Sequence, residues 1–435
     1  MFLNPPKGMR DFPPKEKIIR DKVFRKIERV FQRFGFEPME TPIVEMWDVL
    51  KGKYGDEAEN RLIWRFKLPY SDKEFALRYD LTVPLARYFS KYKPSIPFKR
   101  YQIGQVYRYE DPQKGRYREF YQCDVDVVGV EEPLPDIEIL DVVSSVFEDL
   151  GLRNYVIKIN DRRVLKKIFE ESLGVKDERI MLEVLRTIDK LDKIGKDGVL
   201  RELEKYLSKE KIGNVSQILE TSSFKNEEIL DFLEKKKFEN LEKVIELFKT
   251  CMDLLGSKSD KIKIDLSLVR GLDYYTGMIY EVVVTEPKIG SISGGGRYDN
   301  LIGMFVGKKI PAVGGSIGVE RLIDVCVEQG VVKYETDMFC DVGIIPLTKE
   351  GMSQCWRLAD ELRRNDLSVF LPYKTFSPRE GIKYFEKKGI KYVILIGKEE
   401  VETKTITFQN IEKGLRKKYR FDEIDKIKKE VRSLS

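Results

Sequence analysis

Two strand-like runs, Phe98–Tyr109 and Tyr117–Val128, flank the short polar loop Asp111-Pro112-Gln113-Lys114-Gly115-Arg116. Runs of this kind joined by proline and glycine fold as an antiparallel hairpin, which commits this part of the chain to an antiparallel sheet. Alternate residues of a strand share a face. Arg108 and Glu110 then point one way, and Arg118, Gln122, Asp124 and Asp126 share a face of the second run. The opposite face (Tyr117, Glu119, Tyr121, Cys123, Val125) is not clearly more apolar. Such a polar face is either a solvated outer surface or the wall of a site, because burying it without partners is costly.

Around the hairpin the pattern is α+β. Ile19, Val23, Ile27, Val30 and Phe31 form one stripe of a helix over 16–35, ended by Gly35. An extended, proline-broken stretch, 35–45, follows, and residues 136–150 read as another helix. From 163 to 255 the texture changes. Proline is absent, glycine sparse, and apolar residues recur at helical spacing among lysines and glutamates. This predicts a helical insertion, since strand patterns return at 261–269 and 278–285. A glycine-rich turn at 294–296, a strand at 311–316 and a helix from Gly318 come next. Beyond a boundary near Tyr334–Asp337, strands (341–346, 367–371, 391–397) alternate with helices (349–364, 378–388). That predicts a small α/β domain with a largely parallel sheet. Ser377-Pro378-Arg379-Glu380 reads as a capping box, and the tail after Tyr419 as a solvated helix. The expected division is 1–162 and 259–335 for the α+β domain, 163–258 for the insertion and 336–435 for the α/β domain.

The chain contains no histidine. Ser-His-Asp and Cys-His catalysis, H-E-x-x-H zinc sites and any imidazole base are therefore excluded. Chemistry must rest on carboxylates, arginine, lysine, tyrosine or binding itself. The 79 basic and 73 acidic residues leave +6, which permits a polyanionic partner. Five widely spaced cysteines without a C-x-x-C read as reduced thiols of a cytoplasmic protein. The first residues lack the apolar core of a signal peptide. No apolar run of about 18 residues is present, so no membrane is expected.

Three further elements place an arginine beside glycine: Leu268-Val269-Arg270-Gly271-Leu272-Asp273-Tyr274-Tyr275, Gly294-Gly295-Gly296-Arg297-Tyr298-Asp299, and Gly314-Gly315-Ser316-Ile317-Gly318-Val319-Glu320-Arg321. Glycine lets backbone approach a ligand closely, and an arginine at a helix start adds a fork for phosphate. Neither a Walker A loop nor a G-x-G-x-x-G turn is present. Each element alone also has a bland reading, as a bulge, a loop or a surface arginine. Together they point to a phosphate-rich ligand such as ATP.

In combination these residues resemble the class II aminoacyl-tRNA synthetases, and within them the histidyl-tRNA synthetase family. Residues Tyr107–Gln122 resemble its motif 2, Leu268–Tyr275 a histidine-specific signature, Gly295–Asp299 its closing signature, and Ile317–Leu322 motif 3. Phe36–Pro42 resembles motif 1, the dimer-forming element. The likeness spans the insertion and the C-terminal domain, which resembles an anticodon-binding module with Lys374, Arg379, Lys383, Lys387 and Lys388 on or beside one helix.

The resemblance implies a homodimer that takes L-histidine, ATP with Mg²⁺, and histidine tRNA. It implies Arg108 and Arg270 as catalytic cations at the α-phosphate, Glu110 at the adenine, and Arg116 and Arg321 at the outer phosphates. Histidine falls to Asp80, Thr82, Gln122, Asp126, Tyr274 and Tyr275, and the tRNA acceptor end to Gln113 and Lys114. No protein metal cluster is implied. Asp111 stands where some family members carry Arg, and Asp80 where many bacterial ones carry Glu. The rival reading is the synthetase-like regulatory subunit of histidine biosynthesis, which usually lacks the Arg270 signature and the anticodon module.

Overall fold

The computed structural model describes residues 3–55, 58–172, 174–175, 177–188, 190–236, 241–269, 274–287, 289–332 and 340–432. Contacts divide the chain into two compact units, residues 1–11 with 22–332, and residues 12–21 with 333–435. Arg270 to Asp273 and the expected boundary at 334–337 lie outside the described residues.

The first unit is built on an eight-stranded sheet. Its strands are β1 (Glu37–Pro38), β5 (Phe98–Tyr107), β6 (Glu119–Val128), β7 (Val156–Asp161), β8 (Ile262–Ile264), β9 (Met278–Val283), β10 (Ser293–Arg297) and β11 (Ala312–Gly318). Their order is β1-β5-β6-β11-β10-β9-β7-β8. β5, β6, β11, β10, β9 and β7 run antiparallel to their neighbours, and the edge strands β1 and β8 pair in parallel. A second, three-stranded sheet joins β2 (Val44–Met46), β4 (Glu74–Leu77) and β3 (Arg65–Lys67).

One face of the large sheet is covered by residues 22–33 of the helix Pro14–Arg33 and by the helix Leu134–Leu150. Val23, Ile27, Val30 and Phe31 of the first and Ile139, Val143 and Phe147 of the second share a core with Cys123, Val125, Ile157 and Tyr280 of the strands. Gly35, at φ 73°, turns the chain out of the first helix, as its position after the apolar stripe predicts.

Between β7 and β8 the described chain is helical: Arg162–Lys167, Glu178–Ile188, Leu191–Leu203, Lys209–Glu220, Asn226–Lys236 and Glu242–Leu254. The 261–269 run is strand only over Ile262–Ile264 and then turns, with Ser267 donating to Asp265.

The triple glycine differs from its expected form. Gly294, Gly295 and Gly296 are the middle of β10, fully paired on both sides and buried. Gly295 faces Gly315, and Gly296 faces Gly314. A Cβ on Gly295 would collide with the Gly314 carbonyl oxygen and reach the Gly315 Cα at 2.7 Å and the Tyr280 ring at 2.8 Å. Glycine is required here by sheet packing, not by a turn.

The C-terminal unit holds a five-stranded sheet of order β13-β12-β14-β15-β16, from β12 (Val342–Pro346), β13 (Val369–Phe370), β14 (Tyr392–Ile396), β15 (Thr405–Asn410) and β16 (Arg416–Arg420). β12 pairs in parallel with β13 and β14, but β15 and β16 add antiparallel. The sheet is therefore mixed, half parallel, because a hairpin replaces the last crossover. The Ser377–Glu380 capping box is formed, with Pro378 at the helix start. The tail helix, Ile424–Arg432, is not simply solvated: Ile424, Ile427 and Val431 pack into the core of this unit.

Candidate active site

A cleft of about 450 Å³ opens over the middle of the large sheet. Its floor is main chain: Gly294, Gly295, Gly314 and Gly315 line it. Gly314 also leaves room for a neighbour, since a Cβ there would strike the Asp126 carboxylate.

The adjoining strand β6 supplies side chains. Gln122, Asp124 and Asp126 stand on one face at i, i+2 and i+4, and all three line the cleft. They are only 9%, 2% and 2% exposed, so the solvated-face reading does not hold for them. Register explains how the charge is borne. Asp126 lies opposite Arg100 of β5, whose guanidinium is fully buried and ion-paired to Asp126 Oδ2 at 2.7 Å. The Tyr298 hydroxyl donates to Asp126 Oδ1. Burial pushes Asp126 above the usual carboxylate range, and Arg100 and Tyr298 oppose the shift. Asp124 is pushed up to about 7 by burial, against the pull of Arg100 and with a further push from Asp126. The Gln122 amide donates to Ser316 Oγ at 2.5 Å.

One end wall comes from the turn before the helix Thr82–Tyr92. Asp80 Oδ1 accepts from the Tyr54 hydroxyl at 2.9 Å and from the Val83 N–H at 3.0 Å. Its Oδ2 accepts from the Tyr274 hydroxyl at 3.4 Å. Burial raises the Asp80 pKa, and the bonds from Val83 and Tyr54 together with the charge of Arg108 lower it. Tyr274 and Tyr275 meet edge to face at 5.0 Å, and Tyr274 meets Tyr298 at 5.9 Å. Thr82 also lines this wall.

The other end is cationic. Arg108 Nε donates to the Tyr79 carbonyl at 3.1 Å, and its guanidinium lies 4.4 Å from the Tyr79 ring centroid and 5.2 Å from that of Phe120. Arg116 pairs with Glu110 at 3.3 Å. Arg321 donates to the carbonyls of Gly115 at 2.6 Å and Ser291 at 2.7 Å, which ties the start of the helix Val319–Glu328 to the hairpin loop. Two flat cation faces and a third pinned arginine make a site for an extended polyanion.

The cleft thus gathers Asp80, Thr82, Arg108, Glu110, Arg116, Gln122, Asp126, Tyr274, Tyr275 and Arg321. Gln113 and Lys114 do not line it. Gln113 closes the loop turn with Arg116, and the exposed Lys114 pairs with Glu328. Arg118 turns away, 3.8 Å over the Tyr109 ring. Arg297 is no phosphate ligand either: it pairs with Asp136 and donates to the Val130 and Glu132 carbonyls. Sequence reasoning missed Arg100, Tyr54 and Tyr298, whose roles follow from strand register and long-range packing. It noted Asp124 only as sharing the face.

The histidyl-tRNA synthetase family profile matches residues 8–322, and the anticodon binding domain profile matches residues 341–430. The chain belongs to the histidyl-tRNA synthetase family. A histidine–tRNA ligase of Aeropyrum pernix is 45% identical, over 95% of this chain and 94% of its own length. The histidyl-tRNA synthetase structure from Nostoc sp. PCC 7120 superposes with a TM-score of 0.84 at 30% identity, covering 99% of this chain and 100% of that one. The fold class expected from sequence is the fold of this family. A Bacillus halodurans structure described as an ATP phosphoribosyltransferase regulatory subunit/histidyl-tRNA synthetase gives 0.73 at 19% identity, covering 88% of this chain and 97% of that one. That likeness concerns the fold alone. The C-terminal match to an anticodon binding domain favours the ligases over the regulatory reading.

Proposed function

We propose that this chain activates L-histidine with ATP and transfers it to the 3′ end of histidine tRNA. It is an ATP-dependent ligase of class II. The observation that carries the reading is the cleft's polarity: buried acceptors at one end, arginines at the other, over a floor of backbone. The amino-acid carboxylate attacks the α-phosphate, pyrophosphate leaves, and the tRNA 3′-terminal adenosine takes the histidyl group. Catalysis of this kind needs positioning and charge stabilisation and no enzyme imidazole.

In this reading Arg108 meets the α-phosphate from the side of Tyr79, and Arg270 is assigned as a second cation for the same group. Glu110 receives the adenine amino group, and Arg116 and Arg321 hold the outer phosphates. Asp80, Thr82 and Gln122 cradle the ammonium, while Asp126, Tyr274 and Tyr275 serve the ring. Gln113 and Lys114 are assigned to the acceptor end, which requires Lys114 to leave Glu328. Mg²⁺ enters with ATP. Among the described residues no cluster of three ligating side chains exists, so phosphate oxygens and water must supply most of its ligands. The carboxylates of Glu281 and Glu320 line the cleft and are oxygen donors of the kind Mg²⁺ accepts; the ion would screen the β- and γ-phosphate charges.

The domain division follows the same reading: catalytic over 1–162 and 259–335, inserted over 163–258, anticodon-binding over 336–435. A homodimer is supported by motif 1 and by the exposed apolar side chains Ile43, Val44, Phe66 and Leu68 on and beside β2 and β3. The five cysteines are unpaired, which supports a reducing, cytoplasmic setting. Among the described residues no helix is long and apolar enough to cross a membrane.

The test is ATP–pyrophosphate exchange with each standard amino acid in turn and no tRNA. Exchange with histidine alone is expected. Folded protein that exchanges with none would refute the ligase reading. Asp126→Asn is expected to raise the KM for histidine more than the KM for ATP. It should also lower the melting temperature, because Arg100 loses a buried carboxylate partner. Equal changes in both KM values would contradict the division of roles.

A further inference from the structure

The buried acceptors of the cleft are not equally engaged. Asp126 has Tyr298 on one oxygen and Arg100 on the other. Asp80 has Tyr54 and the Val83 N–H on one oxygen and Tyr274 on the other. Among the described residues, Asp124 Oδ1 and Gln122 Oε1 are buried with neither a hydrogen bond nor an ion pair, whereas Asp126 Oδ2 also lacks a hydrogen bond but keeps its ion pair to Arg100. A buried acceptor left without a donor is costly, and more so when it carries charge. Asp124 and Gln122 hold theirs side by side, on one strand face, at the wall of a cleft.

We propose that Asp124 is a specificity-determining residue, its Oδ1 accepting a hydrogen bond from a ring N–H of the substrate side chain. The inference rests on the histidine reading above and changes its division of labour. Asp126, held between Arg100 and Tyr298, fixes the pocket's geometry and charge. Asp124 supplies the acceptor that the bound ring completes, and Gln122 Oε1 awaits the ammonium.

The surroundings of Asp124 suit this task. Across the strands it faces Gln102 of β5 and Ser316 of β11, and the Ser316 side chain bonds to it. Arg100 pulls its pKa down, and the carboxylates of Asp126 and Asp80 push it up; Arg78 is also within electrostatic reach. With burial dominant, the carboxyl sits near pKa 7 and not in its ordinary range. A donor arriving at Oδ1 favours the ionised form. An apolar amino acid brings no donor and leaves the acceptor bare, which is how a polar pocket rejects the wrong side chain.

The sign of the pH effect follows. The folded-state pKa of Asp124 is raised, so the native state favours the protonated form. That contribution to stability is fully present below the unfolded value, about 4, and is lost as pH rises through about 7. Removing the carboxyl should therefore stabilise ligand-free protein progressively over that window.

The experiment compares the parent full-length chain with Asp124→Leu and Asp124→Asn, by exchange kinetics and by thermal melts without ligand from pH 4 to 7. Asp124→Leu is expected to raise the KM for histidine about tenfold or more while the KM for ATP changes less than about twofold. Its ligand-free melting temperature should equal or exceed the parent's, with the gap widening toward pH 7. Asp124→Asn keeps the shape, secures the comparison should leucine fail to fold, and should show the same split in smaller degree. A histidine KM within about twofold of the parent in both variants overturns the proposal. So do parallel losses in both KM values with a lower melting temperature, the signature of a structural role. Absence of histidine-dependent exchange in the parent would instead reject the ligase reading, and this proposal with it.

Discussion

Arg108→Ala is expected to cut histidine-dependent ATP–pyrophosphate exchange by about 10²–10³-fold, the usual cost of removing one preorganised donor at a developing charge. The structure gives the reason for so large an effect. The guanidinium lies 4.4 Å from the Tyr79 ring centroid and 5.2 Å from that of Phe120, and its Nε is fixed on the Tyr79 carbonyl. Its remaining N–H groups are therefore aimed before ATP arrives, and no reorganisation accompanies the chemical step. Lysine should not restore activity, because a single ammonium can neither stack nor present the planar fork. The check is single-turnover formation of the adenylate, with ATP binding measured separately. A variant that forms adenylate within about tenfold of the parent rate would remove Arg108 from the α-phosphate.

Gly295→Ala is expected to destabilise the first unit by about 3 kcal/mol or more, beyond the ordinary cost of an extra methylene in a core. The obstacles are the Gly314 carbonyl and the Gly315 Cα. These are backbone atoms of a neighbouring strand, and they cannot rotate aside as a side chain can. The strands must part, and the ladder from β9 to β6 runs through them. Soluble yield and a thermal melt monitored in the catalytic unit are the measurements; a parent-like melt would show that β10 and β11 tolerate separation. Gly307, where a Cβ meets nothing within 4 Å but φ is +74°, is a useful comparison, since substitution there carries backbone strain alone.

The hairpin was legible because strand alternation and a Pro-Gly loop are local signals. The Gln122–Asp126 face was legible for the same reason. Its burial was not, since one face of a strand looks alike in sequence whether it meets water or a pocket. That decision is made by β11, whose glycines and Ser316 lie nearly two hundred residues further along the chain. Arg100 illustrates the limit most sharply. Nothing near it in sequence marks it as the counter-ion of Asp126; only the register of β5 on β6 does. The glycine triplet was misread as a turn because glycine's freedom is its common use, whereas here its smallness is what the sheet requires. Arg297 looked like Arg270 and Arg321 by its glycine neighbours, and only the Asp136 carboxylate across the fold separates them. In the C-terminal unit the alternation of strand and helix was plain up to β14. The last hairpin escaped notice because β16, Arg-Lys-Lys-Tyr-Arg, is almost wholly charged on an exposed edge.

The strand order has a consequence for how the molecule is made. β6 and β7 are consecutive in the chain, joined through one helix, yet β11, β10 and β9 stand between them. A ribosome has therefore delivered both halves of the sheet, with the whole helical segment that lies between β7 and β8, before the strands that join them emerge. Contacts so distant in sequence close slowly. Until residue 318 is free of the exit tunnel, β6 presents an unpaired edge with two aspartates and a run of valines beside it. The catalytic cleft is thus among the last features of the first unit to form during synthesis, and nascent chains shorter than this carry an open edge that invites pairing with others.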